Sequence, residues 1–171
     1  LGDVYKRQGK KGGEFYTPHE VSEILSRIVT LGKDKSDEFF TVYDPTMGSG
    51  SLLLTVGQNL PEGQPVKYYG QEKNTTTYNL ARMNLMMHGV SFNNMTLSNA
   101  DTLEIDWPDG LDAKGVDRPR SFDAVVANPP YSAHWDNSES KLKDARFKDY
   151  GKLAPKTKAV SYTHLTLPTI R

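Results

Sequence analysis

The chain has 171 residues, enough for one domain with a real core, and its 21 basic side chains balance 21 acidic ones. A net charge of zero gives no global electrostatic case for nucleic acid and leaves only local patches. The absence of cysteine excludes disulfides, thiolate zinc sites and cysteine nucleophiles, and no apolar run approaches the ~20 residues that span a bilayer.

Leu1–Gln8 (LGDVYKRQ) shows no periodicity, and Val160–Arg171 (VSYTHLTLPTIR) breaks with the style of what precedes it. Both look like translated adapter sequence, so residues 9–159 are taken as the informative domain, although 160–166 alternates in a strand-like way. Gly9–Gly13 is a flexible, basic lead-in. In Glu14-Phe15-Tyr16-Thr17-Pro18, Thr17 is a good helix N-cap and Pro18 suits the first helical position. Val21, Ile24, Leu25, Ile28 and Val29 recur at spacings of three and four, which predicts a helix with one apolar face, ended by Gly32. Phe15 and Tyr16 either staple that helix or line a pocket.

Phe39–Tyr43 predicts a strand. It enters Asp44-Pro45-Thr46-Met47-Gly48-Ser49-Gly50-Ser51 and then a helix from Leu52 towards Asn59. Glycines let the backbone approach a ligand, and a new helix start offers unpaired N–H groups. The loop is neither a P-loop nor Gly-x-Gly-x-x-Gly, so a nucleotide-like ligand without a triphosphate suits it better. Pro65–Gln71 predicts a second strand, and Glu72 at its end lies 22 positions beyond Gly50. Doubly wound folds hold a ribose with an acidic residue placed there. Asn74 predicts a helix cap and Gly89 the stop. Tyr78, Ala81, Leu85 and Met86 fit one face of that helix, widened by Met83 and Met87, and the methionines read as core packing. Met95–Ser98 predicts a third strand, followed by Asn99-Ala100-Asp101. Asp101 either meets a cofactor's adenine or serves as a turn or cap.

After a turn-rich stretch, 107–120, the apolar run Phe122–Ala127 predicts a fourth buried strand. It delivers Asn128-Pro129-Pro130-Tyr131 to its carboxyl end, the edge where open α/β sheets bind ligands. The prolines lack N–H groups and fix φ, and Asn128 is held extended by the proline after it. The turn is stiff and rich in acceptors, with the flat ring of Tyr131 beside them. That combination suits a planar base carrying an amino group. A plain proline turn is the alternative. Residues 139–152 mix charges, which is usual for a solvated face.

The order Phe-Tyr-Thr-Pro, Asp-Pro-x-x-Gly-Ser-Gly, strand-end Glu, Asn-Ala-Asp and Asn-Pro-Pro-Tyr resembles the methyltransferase (modification) subunit of type I restriction–modification systems. The resemblance extends to Gly151–Ala159, similar to a Pro-Lys-Ser/Thr-Lys-Ala segment of that family. It implies a Rossmann-like α/β fold with a mostly parallel sheet, truncated to four candidate strands with flanking helices, so that 9–159 would be a partial catalytic domain. It implies a DNA methyltransferase in the cytoplasm that moves a methyl group from S-adenosyl-L-methionine to adenine N6, with no metal. Phe15, Tyr16, Thr17, Pro18, Asp44, Pro45, Gly48, Ser49, Gly50, Glu72 and Asp101 would hold the cofactor. Asn128 and Pro129 would accept from the target amine in a turn stiffened by Pro130, and Tyr131 would stack on the flipped base. The implied partners are double-stranded DNA, a specificity subunit and a restriction subunit. The alternatives are N-methylation of a protein glutamine or an RNA base, or a non-catalytic cofactor-binding piece. The isolated chain is expected to be inactive.

Overall fold

The β-prone runs become four parallel strands because each is short and followed by a turn or a helix start, with Val, Tyr and Phe prominent in the first, second and fourth runs. The computed structural model describes residues 17–104 and 121–129 together with Glu139 and Lys143. In chain order its elements are α1 (His19–Thr30), β1 (Phe40–Asp44), α2 (Ser51–Gln58), β2 (Val66–Gln71), α3 (Thr75–Met87), β3 (Met95–Ser98) and β4 (Ala124–Val125). Both terminal segments, the 107–120 stretch and 151–159 lie outside the described residues.

The strand order is β3-β2-β1-β4 and every pairing is parallel. The chain builds outward from β1 through β2 to β3, then returns to the other side of β1. The strand order therefore reverses between β1 and β4, and a crevice opens at their carboxyl ends. Register brings those ends level: Asp44 pairs with Gly70, Gln71 with Ser98, and Tyr43 with Val125.

One face of the sheet carries the main core, with Val42, Val56, Leu53, Ala81, Leu85 and Ala124 buried together. The opposite face carries Tyr43, Phe122 and Val125, where Tyr43 stacks on Phe122 with ring centroids 4.8 Å apart. Alternate residues of β1 and β4 thus serve opposite faces.

Three expectations need correction. The fourth strand is shorter than 122–127: only Ala124–Val125 form the ladder. The Asp123 carboxylate replaces it upstream, where Oδ2 accepts from Thr41 N (2.8 Å) and Thr41 Oγ1 (2.7 Å). The buried row of α1 is Ser22, Ser26 and Thr30. Val21, Ile24 and Ile28 are exposed, while Leu25 and Val29 pack on the core. Small side chains let α1 lie close to α2. Two of their hydroxyls are satisfied within the helix, Ser26 Oγ donating to Ser22 O (2.7 Å) and Thr30 Oγ1 to Ser26 O (2.8 Å). On α3, Met83, Met86 and Met87 are exposed rather than core. Ala81 and Leu85, one i,i+4 row, form the buried seam.

Asn74 caps α3 as expected, its side chain accepting from Thr76 N (2.9 Å) and Thr77 N (3.1 Å). That seam fixes Gly50. Its φ is +76°, and a Cβ there would stand 2.5 Å from Leu85 Cδ1. Gly48 has φ +53° but faces open space. Gly50→Ala is expected to destabilise by about 2–4 kcal/mol, strain plus overpacking, against about 1 kcal/mol for Gly48→Ala. Urea denaturation of the two variants measures the difference, and equal losses would show that the seam yields.

Candidate functional site

Asp44, the glycine loop, Glu72 and Asn128 meet at the carboxyl edge of the sheet. Asp44 ends β1, and its Oδ1 accepts from Thr46 N (2.8 Å), a tight Asx-type turn that starts the loop. The loop then reaches Gly50, whose left-handed backbone starts α2. Glu72 follows β2. Its Oε2 accepts from Gly48 N (3.2 Å) and its Oε1 from Asn74 N (2.7 Å), so one carboxylate ties the glycine loop to the start of α3. Each of those oxygens keeps a further lone pair for a ligand hydroxyl.

The electrostatics are one-sided. Burial pushes the Asp44 carboxyl up from 3.8 to about 7, the Thr46 hydrogen bonds oppose this, and the charge of Glu72 adds to it. Among the described residues no cation pairs with Asp44 or Glu72. The two carboxylates therefore raise the negative potential at this edge together. Asp101 differs: Lys73 Nζ donates to its Oδ2 (2.8 Å) and Leu103 N to its Oδ1 (3.0 Å). It caps a turn at this edge, and its lysine partner is exposed.

Val126 N donates to Tyr43 O (2.9 Å), which carries β4's alignment one residue past its ladder. Asn128 therefore stands two residues beyond the level of Asp44, across the β1/β4 crevice. The expected N-cap role of Thr17 is not what the fold uses. Pro18 occupies the cap position with no side-chain cap bond and α1 begins at His19, while Thr17 Oγ1 accepts from Asn128 Nδ2 (3.0 Å). The reason is tertiary, since the hydroxyl meets a side chain 111 residues away. Phe15, Tyr16, Pro130 and Tyr131 lie outside the described residues.

A family model described as N-6 DNA Methylase matches residues 1–168. This chain belongs to the N-6 DNA methylase family. It is similar to the type I restriction enzyme MpnII methylase subunit of Mycoplasma pneumoniae, at 46% identity over 93% of this chain and 31% of that protein. The HindI methylase subunit of Haemophilus influenzae is 32% identical over 86% of this chain and 32% of its own length. The solved type I restriction–modification methyltransferase subunit from Streptococcus thermophilus superposes with a TM-score of 0.81 at 49% identity, covering 96% of this chain and 33% of that one. The chain thus spans about a third of the length of these relatives. Its sheet and flanking helices are the Rossmann-like methyltransferase fold.

Within this member of the N-6 DNA methylase family, several supports of the site carry no local sequence signal. Tyr43 OH donates to the fully buried Gln71 Oε1, and Thr102 Oγ1 donates to Pro45 O. Asn84 Nδ2 donates to Ser49 O (2.9 Å), tying α3 to the glycine loop. Asn99 Nδ2 donates to Glu72 O (2.8 Å) and so fixes the backbone of the acidic residue. Ser49 Oγ and Ser51 Oγ share a hydrogen bond of 2.8 Å at the mouth of α2. Each pairs residues distant in sequence or reads as an ordinary helix or loop position. No metal-ligating cluster of His, Asp and Glu occurs among the described residues, and none of the described helices is long and apolar enough to cross a membrane.

Proposed function

We propose that this chain is the part of a type I methylase subunit that holds S-adenosyl-L-methionine and the target amine, for transfer of a methyl group to adenine N6 in double-stranded DNA. The reading rests on one observation: Asn128 is anchored at the switch-point crevice, across from Asp44 and Glu72, carboxylates that pair with no cation among the described residues. The donor set suits the cofactor. Its charges on sulfur and nitrogen match the acidic side, and its ribose hydroxyls match the lone pairs left on Glu72. Gly48 faces open space, so the loop backbone is bare there, while Gly50 faces the seam behind it.

When bound, the cofactor supplies an electrophilic methyl group on a sulfonium. The chain's residues do the rest. Asp44 and the loop from Thr46 to Gly50 would hold the amino-acid end, Glu72 the ribose, and Asp101 the rim near the adenine ring, with Pro18, Phe15 and Tyr16 completing the pocket, while the Thr17 hydroxyl is turned to Asn128. An exocyclic amine is a poor nucleophile because its lone pair is delocalised into the ring. The Asn128 oxygen and the Pro129 carbonyl would accept its two N–H bonds and favour a nitrogen whose lone pair points out of the ring plane. Positioning of this kind supplies roughly 7–11 kcal/mol in well-oriented reactions. Extruding the base costs a few kcal/mol, and stacking on Tyr131 would return ~1–3 kcal/mol of it. Pro130, with its φ fixed by the ring, would stiffen that corner.

Sequence recognition and cleavage would fall to the specificity and restriction subunits, in the cytoplasm. The test is methyl transfer by a full-length methylase subunit carrying this segment, assembled with its specificity subunit, to duplex DNA, RNA and a glutamine-containing protein. The expected product is N6-methyladenine in duplex DNA. Transfer to RNA or to glutamine instead would overturn the assignment.

A further inference from the structure

We propose that Thr17 is a positioning residue for Asn128: its hydroxyl holds the amide nitrogen, so that Oδ1 is the atom presented to the reacting amine. The inference rests on the adenine-N6 reading above and adds a residue to its machinery. Asn128 Nδ2 donates to Thr17 Oγ1 at 3.0 Å, a half-buried contact and the side chain's one hydrogen bond among the described residues. The threonine hydroxyl is available because α1 does not use it: the cap position belongs to Pro18, and no side chain caps the helix.

Chemistry gives the bond its purpose. A primary aromatic amine presents two N–H donors. An asparagine amide has a donor arm and an acceptor arm, and only the acceptor arm can meet the amine without repulsion. The amide is planar, so anchoring Nδ2 on one side fixes where Oδ1 points. The backbone adds to this, since a residue before proline is confined to extended geometry. Rotation about the asparagine side chain is the freedom left, and Thr17 removes it. The bond also joins the segment expected to touch the cofactor to the turn expected to touch the base.

The test uses the full-length methylase subunit carrying this segment, assembled with its specificity subunit on target DNA. Thr17→Val keeps the shape and removes the acceptor; Thr17→Ser keeps the hydroxyl. Two quantities are read: the single-turnover methyl-transfer rate at saturating cofactor and DNA, and the calorimetric Kd for S-adenosyl-L-methionine. For valine the rate is expected to fall about tenfold, the worth of one hydrogen bond, with the Kd essentially unchanged. Serine is expected to restore the rate. Four outcomes overturn the inference. A valine variant at the parent rate, with Asn128→Ala inactive, removes Thr17's role and leaves the adenine reading intact. A weakened Kd with the saturated rate unchanged makes Thr17 a cofactor contact only. A serine variant as slow as valine assigns the effect to packing. An Asn128→Ala variant at the parent rate removes both readings together.

Discussion

Asn128→Ala, placed in a full-length methylase subunit, is expected to lower the methyl-transfer rate by about 10²–10³-fold, the loss seen when one preorganised transition-state partner is removed. Cofactor affinity should hardly change, because Asn128 lies across the crevice from Asp44 and Glu72 and bonds neither. The fold should survive too. The side chain is half-buried and its bond to Thr17 is a single neutral one, worth about 1 kcal/mol. Rate and affinity thus separate: single-turnover kinetics drop while calorimetry with S-adenosyl-L-methionine does not. A variant with parent kinetics would show that the amide does not touch the reacting nitrogen. A variant that lost cofactor binding as well would place Asn128 in the cofactor pocket.

Asp44→Asn should act in two opposite directions. In the folded chain burial raises this carboxyl from 3.8 to about 7, with Glu72 as its charged neighbour. Between those two pH values the folded state binds more protons than the unfolded one. Stability from this group therefore falls as pH rises through that window and is flat above it. Asparagine removes the penalty and keeps an oxygen for Thr46 N. The variant should be more stable than the parent at pH 8, by an amount on the order of 1 kcal/mol or more, and equal to it near pH 4. Cofactor binding should weaken by about tenfold or more at pH 8, since a positively charged ligand loses its buried counter-charge. In the parent, affinity should tighten as pH rises through about 7, because a cation favours the ionised carboxylate. In the variant that dependence should flatten. Thermal melts and calorimetry across the pH range read both effects. A parent whose affinity ignores pH here would mean that Asp44 does not face the cationic part of the ligand.

Much of the site was legible because its residues lie where local rules are strong. A strand followed by Asp-Pro-x-x-Gly-Ser-Gly must turn, and the turn must end at a helix start. Glu72 after β2 and Asn74 as a cap follow from spacing alone. The errors came where partners are distant. The periodicity of α1 marked Val21, Ile24 and Ile28 as core, yet the row of Ser22, Ser26 and Thr30 is buried. Hydropathy cannot see that a close helix approach selects small side chains, two of whose hydroxyls, those of Ser26 and Thr30, bond back to their own helix. The methionines of α3 failed for a related reason: the helix meets the core along the row of Tyr78, Ala81 and Leu85, and Met83, Met86 and Met87 lie outside it.

What the sequence determined by itself is the order and chemistry of the parts: a glycine loop, an acidic strand end, and a donor-poor asparagine–proline corner, each encoded within a few consecutive residues. Only the tertiary structure decided that these parts share one edge, that Glu72 clamps the glycine loop, that Asp44 is buried beside the charge of Glu72, and that Thr17 reaches Asn128 instead of capping α1. The physical reason is that backbone conformation answers to near neighbours. Burial, charge balance and the choice of hydrogen-bond partner answer to residues that only the parallel register of β1, β2 and β4 brings together.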